Sequence, residues 1–390
     1  MRQTNRKGRL ARGSVAEDVE LVASAGSHVF GPRRKRYIDF MMGWCVGNLG
    51  WDQPEIRTAL ERFDGPDYVY PGYRYRPWEE LAELLAAITP GKLTRCFRAT
   101  GGSEAVDLAL QAAMVHTGRR KFLSVEGSYH GNSIAGLSVG AGDRETVPNL
   151  LGHCHKIKPP LTRQAADNAE TLLKGREVAA VILEPISLNM GVLAPDRAFV
   201  DRLRALCTHY GTLFIADEVA SGFGRTGKLF ACEHFGLEPD LLCLAKAITG
   251  GGAAMGAMLA SEPAGRSMEK DGSFYSTYGW HPRSTAAAIA GIRYMHKHQR
   301  TLLAHVEGLS RYFRTRLAAM EFAAKPALSI WGLAVGIDVG TERYAARLQE
   351  DARRQGLLFS ADGSGLLLVP ALTIDRAVAE KGLDILQRCA

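Results

Sequence analysis

The stretch Leu213–Gly227 reads LFIADEVASGFGRTG, in which an apolar run leads into two acidic residues and then into a glycine-rich loop. The run Thr212–Ala216 predicts a buried strand that ends at Asp217. A second apolar run, Val178–Leu183 (VAAVIL), likewise ends at an acidic residue, Glu184. Near-continuous apolar strands of this kind are typical of parallel sheets that are covered by helices on both faces.

Further strands and helices alternate around this stretch. The apolar patterns predict the strands Lys121–Val125, Leu241–Leu244 and Ala254–Leu259 and the helices Glu104–His116 and Arg197–Tyr210. This alternation predicts an α/β fold with a doubly wound, mostly parallel sheet. In such sheets ligands bind outside the carboxyl ends of the strands, where this chain carries polar residues.

The pattern changes after Pro282, where a long helix over Ser284–Met320 is followed by strands and helices in mixed order. This change predicts a second, smaller α+β domain. We therefore expect a large domain over residues 51–282 and a small domain made of residues 1–50 and 283–390.

The composition is that of a globular protein and excludes several other classes. The chain has 390 residues, of which 46% are hydrophobic and 23% charged, as in ordinary globular proteins. Its seven cysteines are scattered, which argues against a disulfide framework or a zinc cluster and favours a reducing, cytoplasmic compartment. We expect no metal site. The apolar stretches are too short to span a membrane and no signal peptide is evident, so we expect no membrane partner.

The net charge of +7 raises the alternative of a basic protein that binds phosphates or nucleic acids. The basic runs Arg2–Arg12 and Arg33–Arg36 lack interleaved aromatic residues and lie beside no nucleic-acid-binding motif. We interpret both as solvated segments and expect no nucleic acid partner.

The loop Gly222–Gly227, followed by Lys228, matches both the dinucleotide-binding pattern and the P-loop pattern. A P-loop needs Ser or Thr where this chain has Leu229, and Gly236 and Pro239 leave no room for the long helix of a dinucleotide site. We therefore interpret this loop as a structural turn.

A second glycine loop, Thr100–Ser103, lies directly before a predicted helix. Its two glycines let an anion approach the backbone, and the helix amides and the Ser103 hydroxyl would donate hydrogen bonds to it. This arrangement predicts a phosphate site, although a helix cap alone would explain Ser103.

Four separated features fit one chemistry. Lys246 ends the apolar stretch DLLCLAK, where it is partly removed from water and suited to forming a Schiff base. Asp217 ends a neighbouring strand, where a carboxylate could keep a pyridine nitrogen protonated. Gly102 and Ser103 would bind a phosphate, and Tyr129, in the sequence SYHG, could stack on a ring.

With these residues the chain resembles the class III, fold-type-I aminotransferases that use pyridoxal 5′-phosphate (PLP), the group that includes glutamate-1-semialdehyde aminomutase. The resemblance runs from Tyr37 to about Asp384 and is most specific in Leu213–Gly227 together with Lys246 and the glycines that follow it. It implies a PLP-dependent transferase of fold type I, with a mostly parallel sheet in a large domain and a smaller α+β domain.

The resemblance also implies roles for the residues around the cofactor ring. Lys246 would bind PLP as a Schiff base and shuttle the proton. Asp217 would pair with the pyridine nitrogen. Val219 would pack on one face of the ring, and Tyr129 would cover the other face, with His130 beside it.

Four further positions match residues of the family. Gly102 and Ser103 would hold the phosphate, and Glu184 would lie beside the cofactor. Thr277 would reach the phosphate that is bound in the neighbouring subunit. This last role implies a homodimer with shared active sites.

The chain departs from the family at the positions that bind a substrate carboxylate. Many members use an arginine in the C-terminal lobe, where this chain has Leu367, and other members use one where it has Ser360. An acid therefore lacks its usual guanidinium fork. We expect Arg74 or Arg76 to take that role, although a solvated pair of arginines is the plainer interpretation.

The segment Asn189–Val192 and Trp44 look like their counterparts in the aminomutase branch, with Trp44 as a wall of the substrate pocket. If Trp44, Tyr73, Tyr75 and Trp280 line the entrance, they offer flat amphipathic surfaces suited to an amine, an aldehyde or an amino sugar.

We therefore expect a ping-pong transfer of an amino group between an amine or amino-sugar-like substrate and a keto acid or amino acid. The small-molecule partners would be an amino donor and a carbonyl acceptor. Two alternatives remain open on the same cofactor: the 2,1-aminomutase reaction, and another isomerisation such as racemisation.

Overall fold

A computed structural model describes residues 19–142 and 145–390 of the chain. The predicted basic run Arg2–Arg12 lies outside the described residues. Three sheets and a set of helices build the described part. The strands are β1 (Ala23–Ala25), β2 (His28–Phe30), β3 (Arg36–Asp39), β4 (Leu93–Ala99), β5 (Lys121–Val125), β6 (Cys154–Ile157), β7 (Val178–Leu183), β8 (Leu213–Asp217), β9 (Leu241–Leu244), β10 (Gly256–Ser261), β11 (Ala327–Trp331), β12 (Ala334–Asp338), β13 (Leu357–Leu358), β14 (Ser360–Asp362) and β15 (Gly365–Leu368).

Helices connect most of these strands. They are α1 (Met42–Cys45), α2 (Pro54–Glu61), α3 (Arg76–Ile88), α4 (Gly102–Thr117), α5 (Ile134–Val139), α6 (Arg163–Leu173), α7 (Arg197–Tyr210), α8 (Glu262–Asp271), α9 (Pro282–Ala318), α10 (Glu342–Arg354) and α11 (Arg376–Cys389). In the described ranges no helix combines the length and the apolar character that a membrane crossing requires.

The central sheet has seven strands in the order β4-β10-β9-β8-β7-β5-β6. The five strands from β9 to β6 are parallel, and β10 runs antiparallel to both of its neighbours. The predicted fold class, an α/β fold with a mostly parallel sheet, is therefore confirmed. The carboxyl ends of β4, β5, β7, β8 and β9 all lie at one edge, because these strands point the same way.

Alternate residues of the central strands enter two separate apolar clusters. Ile182 of β7 packs in one cluster with α4, and Val181 packs in the other with α6 and α7. All six residues of β7 are buried, which explains why its sequence is apolar throughout. Helix α7 ends at Gly211, whose φ of +64° makes it a left-handed cap that turns the chain into β8.

Two smaller sheets complete the fold. One has the order β1-β2-β3-β13, so that residues near the N-terminus pair with residues near 357. The other has the order β11-β12-β15-β14. The long helix α9 begins with Pro282 in its first turn, two residues earlier than the predicted helix, because proline is well accommodated at that position.

The loop over residues 222–227 forms tight turns, with positive φ at Phe223, Gly224 and Gly227. It encloses Arg225, whose side chain is buried. Nη1 of Arg225 donates to the carbonyl oxygens of Leu333 and Pro370 at 3.0 and 2.6 Å. The loop therefore joins the region after β8 to the C-terminal part of the chain.

Candidate active site

Five strands of the central sheet deliver their following residues to one edge. The residues that the sequence analysis selected follow these strands. They are Gly102 and Ser103 after β4, Tyr129 and His130 after β5, Glu184 after β7, Asp217 as the last residue of β8, Val219 after β8, and Lys246 after β9. A cleft at the carboxyl edge of a parallel sheet is the usual ligand site of such folds.

Asp217 and His130 form the buried centre of this edge. His130 Nδ1 lies 2.8 Å from Asp217 Oδ2, and both side chains are almost completely buried. The backbone N–H of Val219 donates to the other carboxylate oxygen, Oδ1, at 3.1 Å. These two contacts fix the plane of the Asp217 carboxylate. His130 Nε2 is buried without a hydrogen-bond partner among the described residues.

Lys246 is separated from the end of β9 by one residue and begins a short 3-10 turn, Lys246–Thr249. Its φ of +46° is a left-handed conformation that is uncommon for a residue with a side chain and that occurs often at functional sites. Lys246 Nζ lies 5.9 Å from the centre of the Trp44 ring. Trp44 is thus brought next to the lysine, as a pocket wall would be.

The position of Trp44 depends on an unusual turn. The four residues of α1 all have positive φ, from 45° at Met42 to 66° at Cys45. Only Gly43 adopts this conformation without steric cost. The chain therefore holds a strained left-handed turn at the point where it presents an aromatic ring to Lys246.

Glu184 is buried next to the same centre. Its pKa is raised to about 7, chiefly because of burial and in part because of the nearby Asp217 carboxylate, while His130, Ser187 and Lys246 act in the opposite direction. Ser187 Oγ donates to Glu184 Oε1 at 2.7 Å. Glu184 is thus a carboxyl group that changes its charge near neutral pH within electrostatic reach of Lys246.

The Thr100–Ser103 loop leads into α4, whose N-cap is Gly101. The first amides of a helix have no intrahelical acceptor, so they are available to an anion. A Cβ atom on Gly102 would lie 2.9 Å from Val219 Cγ1, and one on Gly131 would lie 2.5 Å from Ser103 Oγ. A side chain at either position would therefore force its neighbours to shift.

These residues fit PLP. The cofactor needs a lysine amine, a carboxylate for its ring nitrogen and donors for its phosphate, and the edge supplies Lys246, Asp217 and the start of α4. The buried and unpaired Nε2 of His130 is the kind of atom that a bound polar group satisfies. Gly102 brings the phosphate loop against Val219, the residue that the resemblance assigns to a face of the ring.

Other predicted residues lie farther from this centre. Tyr129 is 54% exposed, although it adjoins the buried His130. Thr277 lies in an exposed stretch that includes Tyr275 and Tyr278. No contact in the described part of the chain joins Thr277 to the Lys246 group.

The two arginines proposed for a carboxylate also lie on the surface. Arg74 pairs with Glu79 at 3.0 Å, and its side chain is 89% exposed. Arg76 is exposed at the start of α3. Neither makes a contact with Lys246 or Asp217 among the described residues.

The expected role of Trp280 as an entrance wall is wrong. Trp280 is 2% exposed, and its Nε1 donates to the Gly256 carbonyl oxygen at 2.8 Å. The adjoining start of α9 and this hydrogen bond hold the ring inside the core. Of the other entrance aromatics, Tyr73 is exposed and Tyr75 is half-buried.

The sequence reasoning also missed two supporting residues. Ser187 holds Glu184, and Gly131 makes room for Ser103. Gly131 could have been found, since it ends the SYHG segment, where a glycine signals a close approach of the backbone. Ser187 has no such signal, because a serine three residues after a carboxylate is common.

Comparison with known proteins agrees with the geometry. A family model described as "Aminotransferase class-III" matches residues 11–390. The acetylornithine aminotransferase of Methanosarcina mazei is 33% identical over 362 residues, which cover 91% of this chain and 87% of that protein. The putrescine aminotransferase of Pectobacterium atrosepticum is 35% identical over 282 residues, which cover 70% of this chain and only 60% of that protein.

A solved structure has the same fold. An amine transaminase from an uncultivated Pseudomonas species, in its PLP-bound form, is 26% identical with a TM-score of 0.86, and the match covers 100% of each chain.

Fold and cleft together define a PLP-dependent transferase of fold type I. The chain belongs to the class III aminotransferase family, and it is a PLP-dependent aminotransferase. This confirms the predicted family, reaction type and cofactor. The branch that includes the aminomutase is not singled out by these relatives.

Proposed function

We propose that this aminotransferase takes a primary amine without an adjacent carboxylate in one half-reaction and a 2-oxo acid or its amino acid in the other. The observation that carries the proposal lies in the C-terminal sheet. Leu367 and Ser360, the two expected arginine positions, pair directly across β14 and β15. Leu367 is buried and apolar and Ser360 is uncharged, so this wall offers no cation to an acid.

This sheet packs against the loop that follows Glu184. Ser329 Oγ donates to the Val192 carbonyl oxygen at 2.7 Å, and a Cβ atom on Gly336 would lie 2.3 Å from the Gly191 oxygen. An apolar wall at this place favours an uncharged substrate chain. The resemblance to a putrescine aminotransferase supports an amine donor, since putrescine is a diamine.

We assign the chemistry at the cleft as follows. PLP, when bound, supplies an electron sink for negative charge at the substrate carbon. Lys246 would hold the cofactor through Nζ. It would then act as the base that removes the proton from the substrate carbon bearing the nitrogen. Its half-buried position beside Trp44 limits the access of water to that proton.

Asp217 would face the ring nitrogen of the cofactor. Its carboxylate is already oriented by His130 and by the backbone of Val219, so no reorganisation is needed when the ring binds. Val219 and Tyr129 would cover the two ring faces, and Gly102 and Ser103 would bind the phosphate. Trp44 would form the wall on the substrate side.

Glu184 would tune the charge of the cleft. Above pH 7 its ionised form attracts the ammonium group of an incoming amine, and below pH 7 its neutral form does not. Because Lys246 is within electrostatic reach, the same change also alters the field at the catalytic amine.

We also propose that the enzyme is a homodimer in which Thr277 reaches the phosphate in the neighbouring subunit. Exposed aromatic residues around Thr277 support an interface there, since Tyr68, Tyr275 and Tyr278 are 41%, 60% and 62% exposed. The division into a large domain over residues 51–282 and a small domain from residues 1–50 and 283–390 belongs to this proposal, as does a cytoplasmic location.

A donor screen tests the proposed substrate class. PLP-loaded enzyme is mixed with putrescine, an amino sugar or an α-amino acid, without acceptor, and the cofactor absorbance is followed. We expect putrescine or the amino sugar to convert the cofactor and to release a stoichiometric carbonyl product. Conversion by α-amino acids alone would contradict the amine half-reaction. An exclusively isomerised product would assign the aminomutase reaction instead.

A further inference from the structure

A second cavity lies outside the Lys246 cleft. It has a volume of about 220 Å³ and is lined by residues that include Tyr70, Pro71, Arg98, Tyr275 and Ser276. Arg98 supplies a cation, and the tyrosine and serine side chains supply hydroxyl donors. The cavity is therefore lined by both polar and aromatic groups.

Arg98 is held in a fixed orientation. The carbon at the centre of its guanidinium group lies 3.7 Å from the centre of the Trp78 ring, and Nη2 donates to the Pro71 carbonyl oxygen at 3.3 Å. Trp78 is itself fixed, because its Nε1 donates to the Trp280 carbonyl oxygen at 2.6 Å. A guanidinium group stacked on a fixed ring is pre-organised for binding an anion.

This cation lacks an anion. Nη1 of Arg98 is buried without a hydrogen-bond partner, and no carboxylate pairs with Arg98 within residues 19–142 and 145–390. Burial lowers the pKa of Arg98, because removing the charged guanidinium group from water costs free energy. Arg95 on the same strand is the opposite case, because Glu262 and Glu269 pair with it. Arg98 is only half-buried, but its Nη1 atom is buried, and a buried donor without a partner points to a ligand.

Arg98 lies close to the phosphate loop along the chain, since Thr100 follows it by two residues. Arg98 is the next-to-last residue of β4 and pairs with Ala257 of β10. The adjacent Gly256 is packed so closely that its Cβ atom would lie 2.3 Å from the Gly101 oxygen. On the other side, Tyr275 and Ser276 directly precede Thr277. In the proposed dimer, in which Thr277 reaches the phosphate of the neighbouring subunit, we expect this cavity to lie near that cofactor.

We propose that Arg98 binds the carboxylate of the 2-oxo acid or amino acid substrate. The planar guanidinium group has a free Nη1 for one carboxylate oxygen, and the nearby hydroxyl groups can bind the other. The cavity is large enough for a small acid, and the phosphate already has donors at the start of α4. The proposal rests on the proposed aminotransferase function and supplies the cation that Leu367 and Ser360 do not.

The test compares two half-reactions in Arg98→Gln. We expect the KM for 2-oxoglutarate to rise about tenfold or more, because a charge-assisted pair is lost. The rate with putrescine and the affinity for PLP should stay unchanged. Arg95→Gln is the matched control on the same strand and should leave all three values as in the wild type.

A binding measurement separates this proposal from the proposed function. Glutarate, a dicarboxylate that cannot be transaminated, is titrated into the PLP-loaded wild type and into Arg98→Gln in a calorimeter. We expect binding to the wild type and at least tenfold weaker binding to the variant. If the wild type does not react with amines but still binds glutarate through Arg98, the proposed function fails and the carboxylate site stands.

Three results would overturn the proposal. Equal glutarate binding by both proteins would exclude Arg98, and a fall in PLP affinity in Arg98→Gln would assign the arginine to the cofactor phosphate. A KM effect confined to Arg74→Gln or Arg76→Gln would assign the carboxylate to the surface arginines. If Arg98→Gln does not fold, Arg98→Lys is measured instead. Lysine keeps the charge but lacks the bidentate guanidinium group, so the KM for 2-oxoglutarate should rise severalfold.

Discussion

The region around Arg225 and the cleft around Lys246 both contain buried charges beside glycine-rich loops, yet they treat those charges differently. Near Arg225 the protein supplies most of the partners itself, although Nε of Arg225 has no partner among the described residues. The buried carboxylate of Glu218 accepts hydrogen bonds from the Ser221 hydroxyl and from the backbone of Ala231 and Cys232. Arg225 also bonds to Asn48 Oδ1 at 2.7 Å, in addition to the two carbonyl oxygens.

The cleft leaves its polar groups open. Glu184 has a single hydroxyl donor, from Ser187, among the hydrogen bonds of the described residues, and His130 Nε2 has no partner there. The first amides of α4 are likewise hydrogen-bond donors without an intrahelical acceptor. Buried charges whose hydrogen-bonding groups are mostly paired within the protein hold a fold together, whereas polar groups left open in a cleft can bind a ligand. The predictions below test this difference.

Arg225→Met should produce the largest effect. The substitution leaves the oxygens of Asn48, Leu333 and Pro370 buried without their donor, so we expect the free energy of unfolding to fall by about 4 kcal/mol. Urea unfolding measures it. Arg197→Met is the control, since Arg197 forms an exposed pair with Asp201 and should cost less than about 1 kcal/mol. A similar loss of unfolding free energy in both variants would show that the buried hydrogen bonds of Arg225 do not stabilise the fold, which would contradict the comparison.

Glu184→Gln should change the pH dependence of stability. The folded-state pKa of about 7 lies above the usual glutamate pKa of 4.5, so the ionised carboxyl destabilises the fold increasingly as pH rises from 4.5 through 7. Glutamine does not ionise. We therefore expect the variant to gain about 2 kcal/mol relative to the wild type between pH 5 and pH 8. Unfolding curves at both pH values measure the gain, and equal pH dependence in the two proteins would show that Glu184 is not perturbed.

Gly102→Ala should weaken cofactor binding with little effect on the fold. The new Cβ atom meets Val219 Cγ1 at 2.9 Å and pushes the phosphate loop away from the ring position. We expect PLP affinity to fall by about 1–2 kcal/mol, or roughly tenfold. Equilibrium binding of PLP to the apoenzyme measures it. Gly308→Ala, where a Cβ atom meets no neighbour within 4 Å, should bind PLP as the wild type does.

Ser103→Ala should have the smallest effect. Loss of one hydroxyl donor to the phosphate corresponds to about 1 kcal/mol, or about fivefold in PLP affinity. Equilibrium binding of PLP to the apoenzyme measures this change as well. An unchanged affinity would mean that Ser103 only serves the loop, through the N–H of Asn132 that donates to its Oγ at 3.2 Å.

The acidic part of the cleft could be predicted because β7, β8 and β9 are neighbours both in the sequence and in the sheet. The predicted strand Val178–Leu183 has the same bounds in the structure, and Glu184 follows it. The strand before Asp217 starts one residue later than expected, at Leu213. Parallel strands bring their carboxyl ends together, so that local apolar patterns alone place Glu184 and Asp217 side by side.

Residues whose environment comes from distant segments could not be predicted. Nothing around Arg225 in the sequence reveals Asn48 or Pro370 as its partners. Arg98 lies in an ordinary strand pattern, and only the fold places it over Trp78. The arginines favoured from sequence, Arg74 and Arg76, stay a prediction for the carboxylate, and their exposed positions in the structure leave Arg98 as the more enclosed cation.

The most direct test of the central claim is to locate the attached cofactor. PLP-loaded protein is reduced with borohydride, digested and analysed by peptide mass spectrometry. Lys156 is an internal comparison, because burial lowers its pKa to about 8 while its Nζ donates to Ser124 Oγ and to the oxygens of Val139 and Gly140. The account predicts the cofactor on Lys246 and on no other lysine. Attachment at Lys156 or elsewhere, or no attachment, would contradict it.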